Sequence, residues 1–220
     1  MPAPMDVGVA VPDMLMDVAP ALSTVEVNVK VINPATGGGF SDVLVQSALG
    51  EAVTDASGQA QVRVNTGFYE LLLDAQNARR HRVYGMAGQD DFQQITYLSP
   101  DAITGAIFGA LGIVDDSTQS ILVVGLDRPS LAPAIGAEAS IDVGSDNPFV
   151  FQGNRPTLSN RIPTGGQGFV TFPNVVPGQV VIDTRYPEGS CHIFPAEMGV
   201  GEVRSYPGEV AVIAFTCRSD

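Results

Sequence analysis

The chain alternates apolar and polar residues with the period of extended strands. Thr24-Val25-Glu26-Val27-Asn28-Val29-Lys30-Val31 puts four valines on one face and polar side chains on the other, as a half-buried antiparallel strand requires. Gln59–Val64 repeats this alternation, and Phe68–Asp74 (FYELLLD), Phe169–Phe172 and Gln179–Thr184 (QVVIDT) read as further strands. Ser120–Leu126 (SILVVGL) is apolar almost throughout, which suits a strand covered on both faces. Asp42–Gln46, Ala139–Val143, Cys191–Phe194 and Val210–Cys217 complete the predicted set.

One segment has helical period instead. Ser99 is a suitable N-cap, Pro100 suits the first helical position, and Asp101 complements the helix dipole. Ile103, Ile107, Ala110, Leu111 and Val114 then form a stripe, and Gly105 and Gly109 are expected to allow close packing against a domain. The polar run Asp115-Asp116-Ser117-Thr118 follows.

Turn signals reveal an internal repeat. Thr54-Asp55-Ala56-Ser57-Gly58, a strand, Thr66-Gly67 and a second strand have a counterpart in Thr164-Gly165-Gly166-Gln167-Gly168, a strand, Val176-Pro177-Gly178 and a second strand. Gly58 and Gly168 lie half a chain length apart, so the 220 residues divide into two similar units. The predicted organisation is a flexible tether over residues 1–22, a first β-sandwich over 23–98, a helical connector over 99–116 and a second sandwich over 117–220. Within the tether, Gly8–Val11 could instead add to an exposed sheet edge.

These two units, TDASGQAQVRVNTGFYELLLD and TGGQGFVTFPNVVPGQVVID, resemble the carboxypeptidase-regulatory-like and transthyretin-like (prealbumin-like) β-sandwich modules of exported bacterial proteins. Thr54, Asp55, Gly58, Val62, Gly67, Tyr69 and Leu71 match the family pattern in the first unit. Gly136-Ala137-Glu138-Ala139, Gly168, Phe172, Pro177, Gly178, Val180 and Ile182 match in the second. The second unit has Thr164-Gly165 where Thr-Asp is usual, and the first lacks a proline before Gly67. The resemblance implies an all-β protein of two tandem seven-stranded Greek-key sandwiches joined by a short helix. It also implies a surface protein, often a lipoprotein, that acts as a spacer, an adhesion unit or a ligand binder.

Composition narrows the function. Against 24 Asp and Glu stand 11 Lys and Arg, a net charge of −13 that repels phosphate backbones and anionic membrane surfaces. Nucleic acid is therefore not an expected partner. The longest apolar stretch, Ala102–Val114, falls short of the roughly 20 residues of a spanning helix. Residues 1–22 carry four prolines and three aspartates and lack the basic and continuous apolar regions of a signal peptide. An exported form would have lost its signal, and a lipid anchor would have to lie upstream. Cys191 and Cys217 either form a disulfide, which implies an oxidising compartment, or remain a reduced buried pair.

Candidate chemistry is sparse, with one lysine (Lys30), two histidines (His81, His192) and no Gly-x-Ser-x-Gly elbow. The basic run Arg79-Arg80-His81-Arg82 reads as an exposed loop, either simply solvated or able to hold an acidic glycan or the acidic face of another subunit. Intradiol dioxygenases share a sandwich of this type, but their paired His and Tyr iron ligands have no local counterpart here, and no cofactor is expected. Weak calcium candidates are Asp142, Asp146 and Asn147, then Asp90 with Asp91 and Asp115 with Asp116. Phe149, Phe151, Tyr186 and Tyr206 could serve a carbohydrate, although core packing is the alternative for the phenylalanines. The resulting expectation is a non-enzymatic, exported cell-surface module whose partner is a protein or a surface polysaccharide. Its rivals are a self-assembling fibre subunit that donates its N-terminal arm, and an enzyme built on His81 or His192.

Overall fold

A computed structural model describes residues 23–34, 36–195 and 201–219; the expected tether, with Gly8–Val11, lies outside the described residues. The strands of the first half are β1 (Thr24–Ile32), β2 (Leu44–Ser47), β3 (Gly50–Val53), β4 (Gln59–Asn65), β5 (Gly67–Asp74), β6 (His81–Ala87) and β7 (Phe92–Tyr97). After α1 (Asp101–Leu111) come β8 (Ser120–Asp127), β9 (Glu138–Ile141), β10 (Phe149–Gln152), β11 (Arg155–Leu158) and β12 (Gly166–Val175). The last four are β13 (Gly178–Arg185), β14 (Gly189–Ile193), β15 (Gly201–Ser205) and β16 (Val210–Ser219).

Three sheets form. A central ten-stranded sheet runs β11-β10-β12-β8-β16-β6-β5-β2-β3, with β14 paired to β16, and two three-stranded sheets, β4-β1-β7 and β15-β13-β9, lie outside it. The halves share a pairing rule. In the first, β1 pairs antiparallel with β4 and parallel with β7; in the second, β8 pairs antiparallel with β12 and parallel with β16.

The alternation in β1 emerges as read: Val25, Val27, Val29 and Val31 are buried, with Leu71, Leu73, Tyr69, Val83 and Val45 of the central sheet completing their core. A second core on the opposite face of the central sheet joins Leu122, Val124, Leu126, Val170, Ile213, Phe215 and Tyr84 to Val180, Ile182 and Val203 of the β15-β13-β9 sheet. The two cores meet at β6, whose Val83 belongs to one and whose neighbour Tyr84 belongs to the other. Successive residues of a strand point to opposite faces, so β6 is covered twice.

Sequence continuity does not join the halves; a strand does. β16 pairs parallel with β8 along one side and with β6 along the other, where Val210 meets His81 and Ile213 meets Tyr84. Beyond β6 the same side of β16 is taken by β14, and Cys191 faces Cys217 directly and is bonded to it. The disulfide expected from the sequence therefore fastens the far half of the joining strand.

Several local expectations change. The basic run straddles the start of β6: Arg79 and Arg80 precede the strand, with Arg80 exposed, whereas His81 opens it and is buried. The helix begins one residue later than predicted: Pro100 is the N-cap, and the Asp101 N–H donates to the Asn77 carbonyl at 3.0 Å, so the Ser99 hydroxyl is not needed. Of the helix, Phe108 alone is buried, against Phe149, Ile121 and Val210; Ala110 and Val114, part of the expected stripe, are exposed. A Cβ at Gly105 or Gly109 would meet nothing within 4 Å, so these glycines do not serve close packing. In the second repeat the left-handed turn glycine is Gly165 (φ 72°), and Gly168 lies instead inside β12 against the Asp127 carboxylate. Gly58 fills its expected role: φ is 78°, and a Cβ there would sit 2.3 Å from the Val31 carbonyl oxygen.

Replacing Cys191 and Cys217 by alanine removes a 26-residue crosslink, and chemical denaturation should show a loss of about 3 to 4 kcal/mol. Ile213→Ala, at a fully buried position of the joining strand, should cost about 2 to 5 kcal/mol and lower the stability of both cores together.

Candidate functional site

Outward residues of β5 and β6 in the central sheet meet residues of β13 and β15 from the smaller sheet. Between them lies a cavity of about 550 Å³ lined by Phe68, Glu70, Tyr84, Gln179, Glu202, Val203, Arg204 and Tyr206. Phe68 and Glu70 are the outward residues of FYELLLD, whose alternation sends Tyr69, Leu71 and Leu73 into the first core. Glu202 and Arg204 are the outward residues of β15, whose Val203 and Ser205 are buried.

An ionic network anchors the cavity. The Arg82 Nε donates to Glu209 Oε2 at 2.6 Å, its Nη1 bonds Glu70, and its guanidinium lies 4.0 Å from the Tyr206 ring centroid. Arg82 and Glu209 are each about 15% exposed, so solvent screens this pair less than an ordinary surface bridge. Arg82 and Glu70 come from the first half of the chain, Glu209 and Tyr206 from the second. The Tyr84 hydroxyl donates to the Arg204 carbonyl at 2.5 Å, which ties β15 to β6. Phe68 stacks on Tyr84 with ring centroids 5.7 Å apart and an interplanar angle of 19°, and is itself 49% exposed.

The rest of the basic run is also met by acids. Arg79 pairs with Asp115, and Arg80 with Asp74 at 2.9 Å and Glu209 at 3.8 Å. His81 donates from Nδ1 to the Arg79 carbonyl across 2.8 Å, and burial pushes its pKa down to about 4. By contrast, Arg204 has no ion-pair partner among the described residues; its guanidinium sits 5.5 Å from the Tyr206 ring.

The calcium candidates are engaged in loop hydrogen bonds. Asp142 accepts from the Val181 N–H, Asp146 from the Asn174 side chain, Asp91 from the Glu26 N–H, and Asp116 from the Thr118 N–H and hydroxyl. Asp115 bonds Arg79, and Asp90 and Asn147 are exposed. Among the described residues no three His, Cys, Asp or Glu side chains gather as metal ligands. Phe149 and Phe151 pack with Phe108 and Phe169, and the Tyr186 hydroxyl donates to Glu188. Of the four aromatic candidates, Tyr206 alone reaches the cavity.

The second histidine stands elsewhere. His192 Nε2 lies 3.1 Å from Ser190 Oγ on the exposed face of β14, and no carboxylate among the described residues bonds its other nitrogen as a nucleophile's base would need. Asp127 is the other displaced group: burial raises its pKa to about 6, beside Gly168. Neither lines the cavity.

No family model and no curated protein matches the sequence. Among solved structures, the Bacillus anthracis TIE protein is similar over 90% of this chain and 34% of its own, at 9% identity and a TM-score of 0.28. This chain thus spans about a third of that protein's length. The minor pilin of Streptococcus agalactiae is similar over 89% and 97%, at 13% identity and 0.28, and the major pilin of Streptococcus pyogenes over 90% and 97%, at 7% identity and 0.27. Overlaps this loose bring no function across.

His81 gives the site region a pH dependence. Its pKa is depressed in the folded protein, so its contribution is whole above the unfolded value near 6.5 and is lost as pH falls toward 4. Thermal melts from pH 7.5 to 4.5 should show this loss, and His81→Gln should flatten it. Asp127 works with the opposite sign: its raised pKa makes ionisation costly as pH climbs from about 4 to 6. Asp127→Asn should therefore raise the melting temperature at pH 7.5 and leave it nearly unchanged at pH 4.

Proposed function

We propose that this protein is a non-enzymatic, exported structural module in which two sandwich units work as one rigid body. The units take in residues 23–98 and 117–220, with 99–116 as the helical connector, and each has the transthyretin-like arrangement that its turn-strand-turn motif implies. The observation that carries this reading is the double parallel pairing of β16, with β8 of its own unit and β6 of the other. A strand shared in this way cannot leave one unit without opening the core of the other, which suits a spacer that must hold its shape. The Cys191–Cys217 bond on the same strand supports residence in an oxidising compartment. No helix among the described residues is long and apolar enough to cross a membrane. The two histidines stand apart, one buried on a backbone carbonyl and one on an exposed strand, which favours a scaffold over a hydrolase.

Calorimetry tests the rigid-body part. A single transition with equal calorimetric and van 't Hoff enthalpies is expected, and two separated transitions would sink it. Thiol labelling of unreduced protein from its native source tests the address: no free thiol is expected, and two labelled cysteines would argue against export.

A further inference from the structure

We infer that the cavity between β5, β6 and β15 is a binding site for an oligosaccharide that carries a carboxylate, with Phe68 as its stacking platform and Arg204 as its anion-binding group. Phe68 lies against Tyr84 on one side, is half exposed, and lines the cavity with its remaining surface. A large exposed aromatic in a concave site is matched by the C–H face of a pyranose ring, which meets the negative face of the π-system. Gln179 and Glu202, hydrogen-bonded to each other at 2.5 Å, supply planar donors and acceptors of the kind hydroxyl groups use. The cavity, at about 550 Å³, falls in the range of small-ligand sites and lies at a junction between units, where such sites concentrate.

Arg204 supplies the contact for an acidic group. Glu70 is held by Arg82, and the Glu202 carboxylate accepts from the neutral Gln179 amide, so Arg204 is the cation lining the cavity that has no ion-pair partner among the described residues. A guanidinium forks onto a carboxylate through two parallel hydrogen bonds. The Arg204 backbone is fixed by the Tyr84 hydroxyl, and Tyr206 by the buried face of Arg82, so the cation is mounted on a braced strand. The same brace disfavours a peptide added as a strand. It occupies the Arg204 carbonyl, which an added strand on this edge of β15 would need.

This inference rests on the reading of the protein as a surface module, but the transition count and thiol count that test that reading do not depend on ligand binding. The test is titration calorimetry of the intact protein with trigalacturonate, alginate and hyaluronan oligosaccharides at up to millimolar concentration, and with methyl-esterified trigalacturonate as the uncharged control. At least one acidic oligosaccharide should bind. Phe68→Ala and Arg204→Gln, both at exposed positions, should each weaken binding by about tenfold or more while melting temperature stays within a degree or two of the parent. Loss of the acid's advantage over its ester in Arg204→Gln would tie the charge to this side chain. Absence of binding by every acidic oligosaccharide, binding of the ester as tight as of the acid, or affinities unchanged in both variants would overturn the inference. So would a peptide that displaces the bound sugar and keeps full affinity in Phe68→Ala.

Discussion

The architecture depends on one strand having two parallel partners. β16 pairs parallel with β8 in the second half of the chain, as β7 pairs parallel with β1 in the first, but β7 ends its sheet and β16 does not. Its open side takes β6, and that contact turns two sheets into a single central one of ten strands. Parallel pairing needs long connections, so these hydrogen bonds close long loops, that between β6 and β16 spanning over half of the chain, and cost conformational entropy to form. The repayment is burial: β6 gives Val83 and Ala87 to one core and Tyr84 to the other. β16, which would otherwise present an open edge to foreign pairing, is paired on both sides.

Electrostatics follow from that placement. Arg82 points from β6 toward the face that the β15-β13-β9 sheet only partly covers, and there it meets Glu70 of its neighbour strand and Glu209 just ahead of β16. Two carboxylates around one guanidinium compensate its partial desolvation, which one would do less well. Their geometry also sets Tyr206 against the guanidinium. The cavity is thus bounded by side chains from both halves whose positions are fixed by a contact that exists only when the halves are joined. Phe68 and Arg204, which have no such bonds in the network, are its free surfaces.

Much of the fold was legible because period-two alternation is a direct image of burial. β1, β4, β5 and β13 each show the apolar face that the sequence displays. β8 reads as covered on both faces and is, by Leu122, Val124 and Leu126 on one side and by Ile121 with Phe108 of α1 on the other. β6 was not legible. The run Arg79-Arg80-His81-Arg82 that leads into it has the polarity of a loop, and the acids that neutralise it (Asp74, Asp115, Glu70, Glu209) are scattered along the chain. No local pattern records that they converge. Gly85 lies inside β6, where a Cβ would lie 2.4 Å from the Tyr69 hydroxyl. The cavity shared this difficulty. The alternation of FYELLLD does place Phe68 and Glu70 together on an outward face, but that this face abuts β15 is a consequence of tertiary pairing alone.

The helix shows how far local signals can mislead when a surface is already covered. Its apolar composition suggests a buried connector, yet the two cores close without it, through sheet pairing. What remains for α1 is the small patch of Ile121, Phe149 and Val210 on the central sheet, which Phe108 caps while most of the helix faces solvent. The turn that ends it is built by Gly112 in the left-handed conformation, with the Ile113 N–H returned to the Phe108 carbonyl at 2.9 Å. The helix therefore leads into β8, and the two halves of the chain are joined by the backbone hydrogen bonds that β16 makes to β8 and β6, which any separation of the halves has to break.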